Sequence, residues 1–528
     1  MTNPISSVLK SEVILAIGTN TTENHPIIAN YMMEAIHQHG VKLLVADPRR
    51  IELVDHATLW LQHNPGSDVA LINGLMHIII KENLQDQAYI DERMEGFEEL
   101  KSCVEKYTPE YVMSITGISE ENLYAAARLY AKADPAAILY TMGITQHITG
   151  TDNVKSCANL AMLCGNVGKE GGGVNPLRGQ NNVQGACDMG GLPNVFPAYQ
   201  PVASDEVRNK FADGWKVKGF PSTPGLTVTE MFSAGESGQV KAMYVMGENP
   251  ALSDPNKHHI EKGIESLEFF VVQDIFLTET AKLADVVLPA TCFAEKNGTV
   301  SNTERKVQRV RKAVEPPGEA RADTWIISEI SRRMGYTMSA TTPEKIMEEI
   351  NQFAPSYKGI TYKRIEKGGI SWPCPNEDHP GTPVLHVGKF ARGKGLFFAI
   401  DYIPPAEQID DEYPFVLSTG RNHQHFHTGT MTRRGTGLNR LCPEPIAEIN
   451  PGDAEELNIS AGEYIDITSR RGSIKVKVKL TERSKRGMVF MPFHFHEAPA
   501  NILTHSIVDP VAKIPEFKVS AVNINKAL

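Results

Sequence analysis

Hydrophobic residues near the start of the chain fall into two short runs separated by an amphipathic stretch. Residues 13–17 read Val-Ile-Leu-Ala-Ile and end at Gly18. Residues 41–46 read Val-Lys-Leu-Leu-Val-Ala and end at Asp47-Pro48. Between them, residues 26–38 read as a helix closed by Gly40. A strand–helix–strand unit predicts a parallel pair with a right-handed crossover. A second region of this kind begins near Ala242, with strands at 243–246 and 267–272 that end at Gly247 and at Gln273-Asp274. Helices are expected at 120–133 and 153–163, and a glycine-rich passage fills 165–191. After Tyr413 the pattern changes to short β-rich runs at 415–418, 464–469, 473–480 and 488–492, with a hairpin turn at Arg471-Gly472. These runs predict a compact β-barrel, preceded by a linker over 402–413 with Pro404-Pro405 and an acidic patch at 410–412. The expected fold class is α/β, with two Rossmann-like parallel-sheet dinucleotide-binding domains followed by the barrel. The expected divisions are 1–180, 181–290 (an incomplete domain), 291–403 (a return segment) and 404–528.

The two strand–helix–strand regions echo each other. Each first strand ends in Gly-x-Asn, at Gly18-Thr19-Asn20 and at Gly247-Glu248-Asn249. Each second strand ends in an aspartate, Asp47 or Asp274, placed 29 and 27 residues after its glycine. Ligands in open α/β sheets bind beyond the carboxyl ends of the strands. A glycine there lets a phosphate approach the backbone. An aspartate there can accept two hydrogen bonds from a ribose diol, or from N1–H and the amino group of guanine. Neither region carries G-x-G-x-x-G, which argues against an NAD site. Duplication of a stable unit would give the same echo.

Composition narrows the class. At roughly 150 residues per domain, 528 residues suggest about three or four domains. The 41% hydrophobic and 22% charged content suits a globular chain. A net charge of −10 argues against general nucleic-acid binding, although the stretch 305–321 is locally basic. No apolar run is long enough to span a membrane, and the first residues lack the pattern of a secretory signal, so the expected location is cytoplasmic. The seven cysteines are scattered without a C-x-x-C pair, which fits a reducing compartment. They offer no spacing for an iron–sulfur cluster.

The passage 165–191 is long, polar and rich in glycine and amides, the mark of a binding loop. Arg178 stands beside Gly179, Gln180, Asn181, Asn182 and Gln184. An arginine fork suits a carboxylate, and amides suit a heterocycle. In the barrel, His423, His425 and His427 lie two apart and would share one strand face, with His494 and His496 further on. That pattern permits a metal site.

The sequence R-G-Q-N-N-V-Q-G-A-C-D-M-G resembles the corresponding passage of formate dehydrogenases that hold molybdenum or tungsten on two molybdopterin guanine dinucleotides. G-T-N-T-T-E-N-H-P, A-D-P-R-R, V-M-G-E-N-P, V-V-Q-D-I-F, A-D-V-V-L-P and S-T-G-R-N-H-Q-H-F-H-T-G-T-M-T extend the resemblance over essentially the whole chain. The resemblance implies that Arg178 orients formate beside the metal. It implies that Gly18, Asn20, Asp47, Arg49, Gly66 and Asp68 serve one dinucleotide, with Gly143 and Gln146 nearby. Gly247, Glu248, Asn249, Gln273 and Asp274 would serve the other, with Gly179 and Gln180 also on the cofactor. Arg421, His425, Thr428, Asn501 and Lys518 of the barrel would reach its phosphates or pterin. The histidines then belong to cofactor or packing, and none of the chain's own side chains is expected to ligate a metal.

The resemblance also implies parts not found in these residues. Family members carry a cysteine-ligated 4Fe-4S domain and a cysteine or selenocysteine metal ligand followed by histidine. Both are expected in an N-terminal segment upstream of Met1, on which residues 291–403 would pack. A selenocysteine codon read as a stop would account for the start at Met1. Alone, the chain is expected to be inactive, with exposed apolar surface near 243–289. Its implied partners are formate, that N-terminal segment and an electron-transfer subunit or acceptor. A nitrate reductase type of molybdopterin oxidoreductase and a non-catalytic cofactor-binding remnant are the alternatives.

Overall fold

The computed structural model describes residues 1–527, which form two compact units. One comprises Met1–Leu177, Leu252–Lys257 and residues 384–527, and the other Arg178–Ala251 and His258–Pro383.

The first unit is built on a five-stranded parallel sheet. Its strands are β1 (Val13–Ile17), β2 (Lys42–Ala46), β3 (Leu59–Leu61), β4 (Ala136–Tyr140) and β5 (Val174–Pro176), in the order β3-β2-β1-β4-β5. Every residue of β1 and β4 is buried, as expected for parallel strands covered on both faces. Alternation sends Val13, Leu15 and Ile17 into one core and Ile14 and Ala16 into the other. Helix α1 (Pro26–His39) makes the predicted crossover and ends on Gly40, whose φ of 69° lets its N–H close on the Ala35 carbonyl. Helix α2 (Asp68–Lys81) is apolar nearly all round and lies in the centre of one core. Helices α3 (Glu120–Ala131) and α4 (Gly150–Leu163) pack beside it.

The same unit contains a closed six-stranded barrel. Its strands are Phe415–Gly420, Ile446–Ile449, Tyr464–Ser469, Gly472–Leu480, Met488–Pro492 and Ser520–Lys526. Closure leaves no sheet edge open. The hairpin predicted at Arg471-Gly472 is present, but its two turn residues are Arg470 and Arg471, because Ser469 already pairs with Gly472. His423, His425 and His427 do not share a strand face. They lie in the turns that follow Gly420, because the chain must leave the barrel there.

In the second unit, β6 (Ala242–Met246), β7 (Phe269–Asp274) and β8 (Val286–Pro289) form a parallel sheet in the order β8-β7-β6. Phe232, Ile260 and Ile264 pack with Phe270 and Val272 of β7 on one face. Met246 is 51% and Tyr244 43% exposed, and Val286 and Val287 are also open to solvent. The passage 165–191 is more ordered than its composition suggested. It contains β5 and a short helix, α5 (Val183–Asp188), and the division between units falls inside it, after Leu177.

One buried carboxylate joins three parts of the first unit. Glu516, 1% exposed, accepts from the N–H of Ile148 before α4 at 3.3 Å and of Ala406 in the linker at 3.1 Å. His505 Nε2 lies 3.3 Å and His147 Nδ1 3.6 Å from its two oxygens. Burial opposes its ionisation, but the two nearby histidine rings and the main-chain N–H groups together hold its pKa down at about 2. A lowered carboxyl pKa contributes stability that is present above the ordinary carboxylate value and lost as pH falls through the folded value. We expect Glu516→Gln to cost on the order of 3 kcal/mol at pH 7. The difference should shrink as pH drops from about 4.5 toward 2. Denaturant midpoints of the two proteins at pH 7 and pH 3 measure this, and equal stability at pH 7 would show that the charge contributes nothing.

Candidate functional site

The echo seen in sequence has a geometric counterpart in each unit. Gly18 follows β1 with φ 56° and donates to the Ala46 carbonyl at 2.9 Å. Gly247 follows β6 with φ 67° and donates to the Gln273 carbonyl at 2.8 Å. In both places the next residue along the second strand is the aspartate, Asp47 or Asp274. Each aspartate accepts from main-chain N–H groups just beyond it: Arg49 at 2.9 Å, or Ile275 at 2.6 Å. The two glycines differ in surroundings. A Cβ on Gly18 would lie 2.8 Å from Gly143 C, and one on Gly143 would lie 2.5 Å from Gly18 Cα. These two glycines therefore permit each other's close approach. A Cβ on Gly247 would meet nothing within 4 Å, so a ligand can come down onto its backbone.

Around Asp47 the first unit concentrates buried charge. Desolvation raises the Asp47 carboxyl above its usual range. Arg49 donates to Glu448 at 2.6 Å and lies 3.3 Å above the Phe490 ring, so its guanidinium is engaged with the barrel. Lys518 donates to the Thr419 carbonyl at 2.6 Å. Burial, with Arg421 beside it, pulls its pKa down to about 7. Arg421 is lowered to about 10 by desolvation, and its Nη2 is buried without a hydrogen bond. Two half-buried cations side by side, one with a guanidinium nitrogen that has no hydrogen bond, form a place suited to an anion.

Asp68, at the start of α2, is 1% exposed, and both its oxygens lack a hydrogen bond. The nearest opposing groups are His63 Nε2 and His147 Nε2, each at 3.8 Å. Such an acceptor pair suits a donor-rich heterocycle edge. Gln146 is buried close by in sequence, after Met142–Thr145. Asn20 occupies the N-cap position of the short helix Thr21–Asn24 without a side-chain capping hydrogen bond. Gly66, with φ 78°, has a local reason to be glycine: a Cβ there would lie 2.4 Å from Pro405 Cγ of the linker.

Other predicted residues are engaged inside the protein. His425 places Nε2 2.6 Å from the Cys442 carbonyl and Nδ1 3.2 Å from Thr432 Oγ1. Thr428 pairs with Thr430 at 2.9 Å, and Asn501 donates to the Asp254 carbonyl at 2.8 Å. Asn249 donates to Glu279 at 2.8 Å and accepts from Thr280 N–H and Oγ1, while Glu248 beside it is exposed. Gln273 is fully buried between Tyr244, which donates to it, and Asp323, to which it donates at 2.6 Å. Among the described residues, no group of three or more His, Cys, Asp or Glu side chains is placed to hold a metal ion.

Arg178 is exposed at the start of the second unit. Its main-chain N–H donates to Thr303 Oγ1 at 3.0 Å, and its Nε donates to Gln184 Oε1 at 2.9 Å. Gly179 and Gln180 follow it and lead into α5, with the Val183 N–H reaching the Gln180 carbonyl at 3.4 Å. His427, read in sequence only as one of three spaced histidines, is lowered to about 4 by desolvation beside Arg421, and Asp188 at the end of α5 was not singled out in sequence. The Gln-x-x-x-Asp spacing on a short helix was the signal for the latter.

The anion-ready cluster makes a prediction for the apo chain. A lysine whose folded pKa is lowered destabilises the fold fully below that value, and the cost fades as pH rises toward the ordinary lysine pKa. We expect Lys518→Met to raise the apo melting temperature at pH 6 by about 2–4 °C and by less at pH 9. The variant should lose the further stabilisation that inorganic pyrophosphate gives the parent. Differential scanning fluorimetry with and without pyrophosphate reads both effects, and an unchanged pyrophosphate shift in Lys518→Met would remove Lys518 from the anion site.

The molybdopterin oxidoreductase family model matches residues 1–333, and the molydopterin dinucleotide binding domain model matches residues 415–521. F420-dependent formate dehydrogenase subunit alpha of Methanocaldococcus jannaschii is 52% identical over 531 residues, covering 100% of this chain and 78% of that protein. Formate dehydrogenase H of Escherichia coli is 41% identical over 530 residues, covering 99% of this chain and 74% of that protein. Acetylene hydratase from Pelobacter acetylenicus shares the fold, with a TM-score of 0.75 at 21% identity over 99% of this chain and 81% of that one. On this sequence similarity, the chain belongs to the molybdopterin oxidoreductase family and is an oxidoreductase whose relatives include formate dehydrogenase alpha subunits.

Proposed function

We infer that the chain binds two molybdopterin guanine dinucleotides and serves the oxidation of formate to carbon dioxide. Its anchored but solvent-facing arginine, Arg178, carries this reading. Formate is a small carboxylate, and a guanidinium held at both its backbone and its Nε meets a carboxylate with direction as well as charge. Fixing the carboxylate fixes where the C–H bond points, and positioning of this kind lowers the barrier without any chemistry by the arginine itself.

The residues present fit the cofactor. Lys518 and Arg421 are half-buried cations that a pyrophosphate would neutralise. Asp68 offers two buried oxygens without hydrogen bonds, which suit the adjacent N–H donors of a pterin or guanine edge. Gly247 leaves its backbone open to a phosphate, and Asp47 and Asp274 stand where a nucleotide end would lie. We assign one dinucleotide to each strand–helix–strand region, so that both regions are Rossmann-like in use. When bound, the molybdenum or tungsten centre would supply the two-electron chemistry. The reading gives the metal's protein ligand and a 4Fe-4S cluster to residues outside these 528, and passes the electrons to a separate subunit or acceptor. The relatives named above are a formate dehydrogenase alpha subunit and a formate dehydrogenase, which supports formate over nitrate as substrate.

The test is Arg178→Ala in the metal-loaded enzyme. Loss of a charged hydrogen-bonding partner for the substrate should lower kcat/KM for formate by at least about a hundredfold, on the order of 3 kcal/mol. Nitrate reduction, if any, should fall far less. Steady-state kinetics at matched metal content measures both, and equal losses on the two substrates would sink the formate assignment.

A further inference from the structure

Gln184 and Asp188 lie four apart on α5, on the same helical face. Gln184 is 4% exposed and Asp188 is fully buried. The Gln184 side-chain N–H groups donate to Asp188 Oδ1 at 2.8 Å and toward Tyr199 Oη at 3.0 Å. Its carbonyl oxygen accepts from Arg178 Nε at 2.9 Å. Asp188 is itself locked. Tyr199 Oη donates to Oδ1 at 2.9 Å, while Trp372 Nε1 at 2.7 Å and the Tyr357 hydroxyl donate to Oδ2.

The order of these bonds has a direction. A buried carboxylate accepts only, so the amide beside it must turn its NH2 group inward. Its carbonyl oxygen then points outward, toward Arg178. A fixed anion thus fixes an amide dipole, and the dipole fixes the Nε–H edge of an exposed guanidinium. Without such support an arginine on the surface samples many rotamers, and each substrate encounter would have to order it.

We propose that Gln184 and Asp188 are positioning residues that set the plane of the Arg178 guanidinium for a small carboxylate substrate. This rests on the reading that Arg178 binds formate. Neither residue touches the substrate, and both act through Arg178. Gln184→Met keeps the side-chain volume and removes the bond to Arg178, while Tyr199, Tyr357 and Trp372 still satisfy Asp188. Asp188→Asn removes the charge that orders the amide, and is the variant more exposed to a folding loss.

The experiment measures formate binding to the reduced, metal-loaded enzyme, where no turnover intervenes, by 13C-formate linewidths, alongside KM and kcat. Gln184→Met should weaken formate binding and raise KM about tenfold, which corresponds to 1.4 kcal/mol, with kcat changed less. Asp188→Asn should act in the same direction. Gln184→Met should add nothing in an Arg178→Ala background, because the relay has then lost its target. A parent-like formate Kd in Gln184→Met, with Arg178→Ala weakened, would overturn the relay alone. The full Gln184→Met loss persisting in the Arg178→Ala background would also overturn it, as an effect of packing. Parent-like formate binding in Arg178→Ala would instead strike the reading of Arg178 itself.

Discussion

Glu516 sits out of water against two histidine rings and two main-chain N–H groups, and through them ties the barrel, the linker and the start of α4 into one unit. The cost of burying a carboxylate makes this joint specific, because no other arrangement of those segments returns its hydrogen bonds. Arg49 with Glu448 repeats the idea at the end of β2, where a buried ion pair holds the Asp47 loop to the barrel strand Ile446–Ile449. Glu407, accepting from Arg470, Arg471 and the Ala521 N–H, fixes the linker to the barrel hairpin in the same way. The position of every side chain near Asp47 depends on these joints, since those residues come from segments hundreds of positions apart.

Set against these satisfied charges, the unsatisfied ones mark the candidate site. Asp68 is as buried as the structural ion pairs, Lys518 and Arg421 are half-buried, and both Asp68 and Arg421 keep buried polar atoms without a hydrogen bond. A fold tolerates such groups where a ligand completes them, at a cost to the apo state. Their chemistry suits a pyrophosphate and a hydrogen-bonding heterocycle, which on the proposed reading are the central link and one end of a molybdopterin guanine dinucleotide. In the second unit Arg178 is exposed, and a buried anion, Asp188, stands two hydrogen bonds behind it.

The two strand–helix–strand regions apply one local design to different degrees of enclosure. In both, a glycine in the left-handed region turns the chain after the first strand, and an aspartate ends the second. Gly18 is packed against Gly143, while Gly247 opens onto free space. The first sheet is covered on both faces, and the second leaves Tyr244 and Met246 in water. Exposure of apolar strand residues on this scale is a liability for solubility in any chain that presents it.

Much of this was legible in the amino-acid order, for a local reason. β1, α1 and β2, and the barrel strands Tyr464–Ser469 and Met488–Pro492, follow from hydrophobic period and from Gly40, because such signals act within a few residues. The Gly-x-Asn and terminal-Asp echo was equally visible, since a turn and a strand end are short-range features. What the order of residues did not determine was which polar groups would spend their hydrogen bonds inside the protein. Asn249, Gln273 and His425 look like ligand residues in sequence, yet each is engaged by a distant partner: Glu279 and Thr280, Tyr244 and Asp323, or Cys442 and Thr432. Arg421 and Asp68 look no different on paper, yet each keeps a buried polar atom without a hydrogen bond. Only the tertiary structure separates the two groups, because desolvation and partnership are set by segments brought together across the whole chain.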